Sequence, residues 1–262
     1  MLRAGLNRPE GYLAHVASYI QQLLAMPGRR NMSLEEASWT TWHFGDDRWN
    51  GALNYYVKGY LLALALDLTL RGRSDNRVSL DTVMRELWAR FGETDTPYEP
   101  QQVCEVAEEL LGESLADFWT PYLRGREDFD WEPILAHTGL VLLEHDPQPA
   151  LEISPAFKDG LCKLEGVLAG GAAQEAGLMI GDELVAIGGL RVTPQLLGLL
   201  GEAFEPGEEV QVFYFRRGRL AETVVTLARR SSLAILPHPE AGEEAKLLRA
   251  SWLSPTKQGA AI

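Results

Sequence analysis

The chain has 262 residues and a formal net charge of −13, with 46% hydrophobic and 23% charged residues. That length exceeds the usual single-domain size and predicts two domains, and the apolar share is ordinary for a globular protein. The acidic balance excludes nucleic acid as a partner, because affinity for phosphates rests on clustered Lys and Arg. Cys104 and Cys162 are far apart and lack a CxxC partner. They read as buried free thiols in a reducing compartment, with no disulfide framework and no zinc knuckle. The opening M-L-R-A-G-L-N-R-P-E lacks the apolar core of a signal peptide. The expected compartment is the cytoplasm, with the periplasm as the alternative.

The first 132 residues read as helices. Tyr12, Leu13, Val16, Ile20, Leu23 and Leu24 recur at helical spacing over Pro9 to Leu24, and Met26-Pro27-Gly28 stops the pattern. Ser33-Leu34-Glu35-Glu36 has the form of a capping box. Trp39, Trp42, Phe44 and Trp49 crowd a segment with Gly45, Asp46 and Asp47, which reads as a loop with aromatic anchors. A helix then opens with N-Y-Y-V-K-G, and its run Tyr60 to Leu66 is apolar on every side. Such a run predicts a core helix, and it is far too short for the roughly 20 residues of a membrane span. A core helix needs neither Lys58 nor Gly59, since glycine costs about 1 kcal/mol against alanine in a helix interior. Ser79 caps a helix running to Gly92, Glu99 to Leu111 forms the next, and Ser114 to Leu123 closes the set. The stretch Glu93 to Glu132 is the most acidic; it reads as a solvated helical face, with a surface for cationic peptide ends as the rival.

Near Ala136 the pattern changes to short, glycine-punctuated, β-rich runs. Gly139 to Leu143, Leu161 to Leu168, Glu183 to Ile187, Val210 to Phe215 and Thr223 to Leu227 predict strands, with helices at Ala172 to Leu178 and Pro194 to Ala203. A short helix, Glu243 to Trp252, follows in a C-terminal extension. The fold class is therefore α+β and multidomain: helices over 1–132, a small β-barrel or sandwich over 135–230, and the extension over 231–262.

The run Gly166 to Gly189, G-V-L-A-G-G-A-A-Q-E-A-G-L-M-I-G-D-E-L-V-A-I-G-G, resembles a bacterial PDZ domain. Gly177 suits a left-handed helix end and Gly181-Asp182 a tight turn into a strand. The resemblance implies binding of peptides or protein C-termini by strand addition, with a nest of backbone amides for the carboxylate. Gly139, Leu140, Val141 and Leu142 are the candidate carboxylate loop.

Tyr55-Tyr56-Val57-Lys58-Gly59, then S-L-D-T-V-M-R-E-L-W and D-F-W-T-P-Y-L-R-G, with a PDZ-like segment after them, resemble the C-terminal part of the glycyl aminopeptidase family of zinc metallopeptidases, related to the aminopeptidase N group. That resemblance implies a helical C-terminal half of a thermolysin-like catalytic domain and removal of N-terminal residues from peptides. It also implies that the Tyr56 hydroxyl stabilises the oxyanion of the tetrahedral intermediate, as a preorganised donor does. The departure is the metal site. Zinc in such enzymes needs H-E-x-x-H, and none of His15, His43, His137, His145 and His238 lies four residues from another. The expectation is no metal or cofactor in this chain, zinc in the parent enzyme, an upstream zinc-binding half as partner, and an inactive isolated chain. The rival is a non-catalytic PDZ-containing scaffold. A regulatory PDZ of a serine protease is disfavoured, because no G-x-S-x-G is present.

Overall fold

A computed structural model describes residues 5–42 and 48–254. Two compact units divide the chain. The first takes the described parts of Met1–His43, Ala52–Leu143 and Leu233–Ile262; the second takes Glu144–Ser232 and the described part of Phe44–Gly51. The sequence reading set 231–262 apart as an extension. In the structure Leu233 onward returns to the helical unit, and Ile235, Trp252 and Leu253 enter its core.

Eight helices precede the strands: α1 (Pro9–Leu24), α2 (Leu34–Thr40), α3 (Arg48–Gly51), α4 (Tyr55–Arg73), α5 (Leu80–Leu87), α6 (Pro100–Leu111), α7 (Ala116–Trp119) and α8 (Trp131–Ala136). Helix α1 buries Leu13, Val16, Ala17, Ile20 and Leu23, the single stripe its spacing predicts. Each such aliphatic side chain contributes about 1.5–3 kcal/mol when taken from water. The capping box of α2 is formed: the Ser33 side chain accepts from the Glu36 amide, and the Glu36 carboxylate accepts from the Ser33 amide. Helix α4 is the axis of the unit. Leu64 through Arg71 are buried without interruption, so it is enclosed on all sides, as its uniform apolarity requires.

Several sequence expectations change here. The helix capped by Ser79 ends as α5 and continues as a wider turn over Trp88–Gly92. The helix expected over Ser114 to Leu123 is only α7 followed by a wide turn over Thr120–Arg124; Pro121 supplies no N–H to continue the regular ladder. Trp39 and Trp42 are not anchors, being 82% and 84% exposed. Phe44, Gly45, Asp46 and Asp47 lie outside the described residues. The acidic stretch finds arginine partners: Arg73 meets Asp117 and Glu113, Arg90 meets Glu109, and Arg29 meets Asp128 at 2.8 Å.

The strands are β1 (Leu140–Ala150), β2 (Ile153–Lys158), β3 (Leu161–Val167), β4 (Glu183–Ile187), β5 (Leu190–Arg191), β6 (Glu209–Arg216), β7 (Arg219–Thr226) and β8 (Ala228–Pro237), with helices α9 (Ala172–Glu175), α10 (Pro194–Gly198), α11 (Leu200–Ala203) and α12 (Glu243–Leu253). Strands β1 and β8 pair as a two-stranded sheet. The others form an open sheet in the order β2-β3-β4-β6-β7, with β5 on β4. The expectation of a closed barrel or a sandwich gives way to these open sheets, because β2 and β7 stand at opposite ends and do not pair. Leu164, Leu178, Ile187, Val212, Val225 and Leu227 fill the core of the second unit. Asp182, 1% exposed, closes the turn before β4: it accepts from the Met179 amide and from two guanidinium nitrogens of Arg216. Strands β2, β5 and β8 escaped the sequence reading, since Pro155 and the charged Arg229-Arg230 obscure their alternation.

Candidate functional site

The two sets of candidate residues lie apart in the fold. Tyr56 is on the first turn of α4. Asn54 caps that turn, its side-chain oxygen accepting from the amides of Tyr56 and Val57 at 3.0 and 3.2 Å. Tyr56 is 73% exposed, and its ring leans on that of Tyr55 with centroids 4.2 Å apart. The neighbouring Tyr56 hydroxyl pushes the Tyr55 phenol above its ordinary value, with burial adding to it.

Lys58 faces the opposite way. It is 1% exposed, and its ammonium has no hydrogen-bond partner. Burial pulls its pKa below the usual lysine value; the Asp128 carboxylate opposes that shift and Arg29 reinforces it. Asp128 is already bonded to the Arg29 guanidinium, so it leaves Lys58 without a bond of its own. Gly59 shares a face with Tyr56, three residues on. A methyl group built there would meet nothing within 4 Å, so no neighbour in this chain demands glycine. The head of α4 is therefore capped, exposed at Tyr56 and open at the Cβ position of the half-buried Gly59. Sequence reasoning found Tyr56 but not Asn54 as its cap, although Asn before a helical run is a recognised signal.

Gly139, Leu140, Val141 and Leu142 stand in the first unit, at and just before the start of β1, rather than in the six-stranded sheet. The Gly139 amide donates to the Ala136 carbonyl, and its own carbonyl accepts from the His238 amide and Arg249. Gly139 has φ of 60° and lies under Ala241, 2.6 Å from where a Cβ would stand. These four residues line a cavity of about 710 Å³ together with Trp131, His238 and Ala245. Its wall is mostly apolar, with Glu132 and Glu240 at its edge. A local reading of G-L-V-L could not see that β8 and α12 fold back beside it.

Among the described residues no group of three or more His, Cys, Asp or Glu could hold a metal ion. His15 stacks on Tyr19 at 4.6 Å, and the His238 Nδ1 accepts from the Glu240 amide. His137 packs against Gly72, and burial, helped by Arg73, pulls its pKa below the usual histidine value. His43 lies outside the described residues. Burial also raises both thiols, Cys162 to about 11. Among the described residues no helix is long and apolar enough to cross a membrane.

Comparison with known proteins gives a shared fold over most of the chain and a family match over its first 62 residues. The chain is similar to an aminopeptidase N family protein from Idiomarina loihiensis, at 24% identity and a TM-score of 0.82, covering 96% of this chain and 45% of that one. It thus has the fold of part of that protein and spans less than half its length. Residues 1–62 match the family model described as M61 glycyl aminopeptidase. Both findings support the expected resemblance to the C-terminal part of a glycyl aminopeptidase-family protein. Weaker likenesses are a serine endoprotease from Yersinia pestis (19% identity, TM-score 0.29, 32% of this chain and 30% of that one) and the PDZ domain of EpsC from Vibrio cholerae (20%, 0.25, 29% and 77%). No curated protein matches.

Proposed function

We propose that this chain is the C-terminal portion of a cytoplasmic aminopeptidase of the glycyl aminopeptidase type, releasing N-terminal residues from peptides. The observation that carries this reading is the head of α4: a capped turn holds Tyr56 exposed, one turn before a glycine whose Cβ position is open space. An open face at the end of an otherwise enclosed helix suits a group that acts on something outside this chain. Among the described residues no group of three or more His, Cys, Asp or Glu could hold a metal ion; this reading assigns zinc to an upstream portion of the parent and no metal step to residues here. Tyr56 donates its hydroxyl hydrogen to the oxyanion that develops when the peptide carbonyl is attacked. Its effect falls on turnover rather than on substrate affinity, because that charge exists only in the transition state.

In the parent enzyme, Tyr56→Phe keeps the ring and removes the hydroxyl. Turnover should fall roughly 10²- to 10³-fold with KM little changed; near-normal turnover would leave Tyr56 a packed aromatic. The isolated 262-residue chain should show no aminopeptidase activity and no stoichiometric zinc by metal analysis.

On this reading residues 135–230 form a PDZ-like module that docks peptides or protein C-termini. Strand β2, at the end of the six-stranded sheet, supports docking, since an end strand has a row of backbone groups not paired within the sheet. Peptides ending in a free carboxylate should bind more tightly than their amides. Equal, negligible binding of both by titration favours a helical unit and a strand-rich unit that only support one another, the non-catalytic alternative without a ligand.

A further inference from the structure

We propose that the cavity beside Gly139–Leu142 is a binding site for a small organic cation, an ammonium group carried on an aromatic or aliphatic body. The inference goes beyond the reading above and needs neither the role of Tyr56 nor strand addition at β2.

Every residue that lines this cavity of about 710 Å³ belongs to the first unit. That volume suits a drug-sized molecule. Phe129, Trp131 and Leu140 give it a buried aromatic and aliphatic wall, and the Phe129 and Trp131 rings meet at 5.3 Å between centroids. The segment that enters α12 gives it only Ala241, Gly242 and Ala245. Helix α12 sends Leu247 to solvent, 70% exposed, and turns Ala245 to the cavity. Protein interiors close such spaces with large side chains, so packing alone would place the leucine where the alanine stands.

The charge of the wall has one sign. Glu132 and Glu240 lie in it, and among the described lining residues none is Lys or Arg. Neither carboxylate has a hydrogen bond or ion pair of its own among the described residues. The His238 Nδ1 accepts from the Glu240 amide, which requires an uncharged imidazole. Arg249 gives its Nη1 to the Thr138 and Gly139 carbonyls, and Lys246 pairs with Glu243. The positive end of α12 begins at Gly242, and Glu243 and Glu244 in its first turn answer it.

The backbone nearby is also taken. The Gly139 amide donates to the Ala136 carbonyl, and the Ala241 amide to the His238 carbonyl. A carboxylate entering this cavity would meet two like charges and find the Gly139 amide spent. An ammonium would meet two acceptors, with aromatic rings beside them that attract cations. Both glutamates are exposed, so water and salt screen them and the preference is moderate.

The test follows the backbone amides of the 262-residue chain by NMR during titration with tryptamine and with indole-3-acetate. The two share an indole and carry opposite charges near pH 7. Tryptamine should shift the Leu140, Leu142 and Ala245 amides and bind about tenfold more tightly than indole-3-acetate. Glu132→Gln and Glu240→Gln should each weaken tryptamine about threefold, and together about tenfold, with the gap to indole-3-acetate closing. Because both side chains are exposed, these variants should melt as the unsubstituted chain does. Ala245→Phe should abolish binding of both ligands by filling the cavity, with Ala245→Leu in its place if the ring prevents folding. Equal binding of the two ligands, tryptamine binding unchanged by the double replacement, or no shift at these amides up to the solubility limit would overturn the proposal. Tighter binding of indole-3-acetate would overturn it as well, and make the cavity an anion site.

Discussion

The two ends of α4 are built on opposite terms. At its tail every charged group is satisfied within the chain. The Arg71 Nε donates to both Asp67 oxygens at 3.1 Å, its Nη1 donates to the Asn76 side-chain oxygen, and Asp67 also accepts from the Leu80 amide. Asp67 and Arg71 are 5% and 8% exposed, so the pair is a buried one, with further bonds to Asn76 and Leu80. Gly72 then lets the His137 ring approach so closely that a Cβ would stand 2.2 Å from it. At the head, Tyr56 is exposed, Gly59 has open space where a Cβ would stand and Lys58 is buried without a hydrogen bond from its ammonium. One helix can therefore serve the fold at one end and leave unmet chemistry at the other. Unsatisfied polar groups and unneeded glycines mark the end where packing was not what chose the residues.

The largest effect should come from breaking the tail. Asp67→Ala leaves the Arg71 guanidinium buried beside a lost partner, at a cost of about 3–5 kcal/mol, read by chemical denaturation. A loss below about 1 kcal/mol would erase the contrast between the two ends. Gly72→Ala is the next in size. Its methyl group must displace the His137 ring, at about 1–3 kcal/mol.

The head should respond with the opposite sign. Lys58→Met keeps the aliphatic stem and removes the unbonded ammonium, so it should stabilise the isolated chain by about 1–3 kcal/mol near pH 7. The pH dependence follows from the same burial. The folded-state pKa of Lys58 lies below that of the unfolded chain, so the unfolded chain binds more protons. Stability therefore rises as pH climbs from the folded value toward about 10.5, and Lys58→Met should remove this slope from a series of melts. His137 acts at lower pH with the same sign: stability should fall as pH drops below about 6.5 through its depressed folded value. The smallest change is Gly59→Ala, which meets no atom and should gain up to about 1 kcal/mol. If Gly59→Ala destabilised the chain as Gly72→Ala does, the space at that Cβ position would not be open.

Much of this was legible without coordinates. Helix α1 announces itself by its stripe, α2 by its capping box, and the enclosed course of α4 by apolarity on every side. The strand β4 and the turn Gly181-Asp182 are equally local, since a tight turn and a β-rich run lie within ten residues. Tyr56 was legible too, through the company of Y-x-K-G with the motifs that follow. What stayed hidden depends on partners far away in the chain. The pairing of β1 with β8 joins segments far apart in the chain, and the return of Leu233–Leu253 to the helical core brings Leu233 to Gln21, 212 residues away; no periodicity records such a meeting. For the same reason G-L-V-L read as a candidate carboxylate loop entering a strand, with no sign that the Gly139 carbonyl is taken by His238 and Arg249.

Sequence alone determined the kinds of element, the location of the candidate tyrosine and the lack of an H-E-x-x-H pair, because each is a matter of residue type at short spacing. Only the tertiary structure decided which of two adjacent residues meets solvent. Tyr56 and Lys58 stand two positions apart on one turn, yet one is 73% exposed and the other 1%. A helix turns about 200° over two residues, so the chain fixes that they face apart but not which face the neighbouring helices cover. That choice is made by what packs on α4, and the packing came from residues the local pattern does not contain.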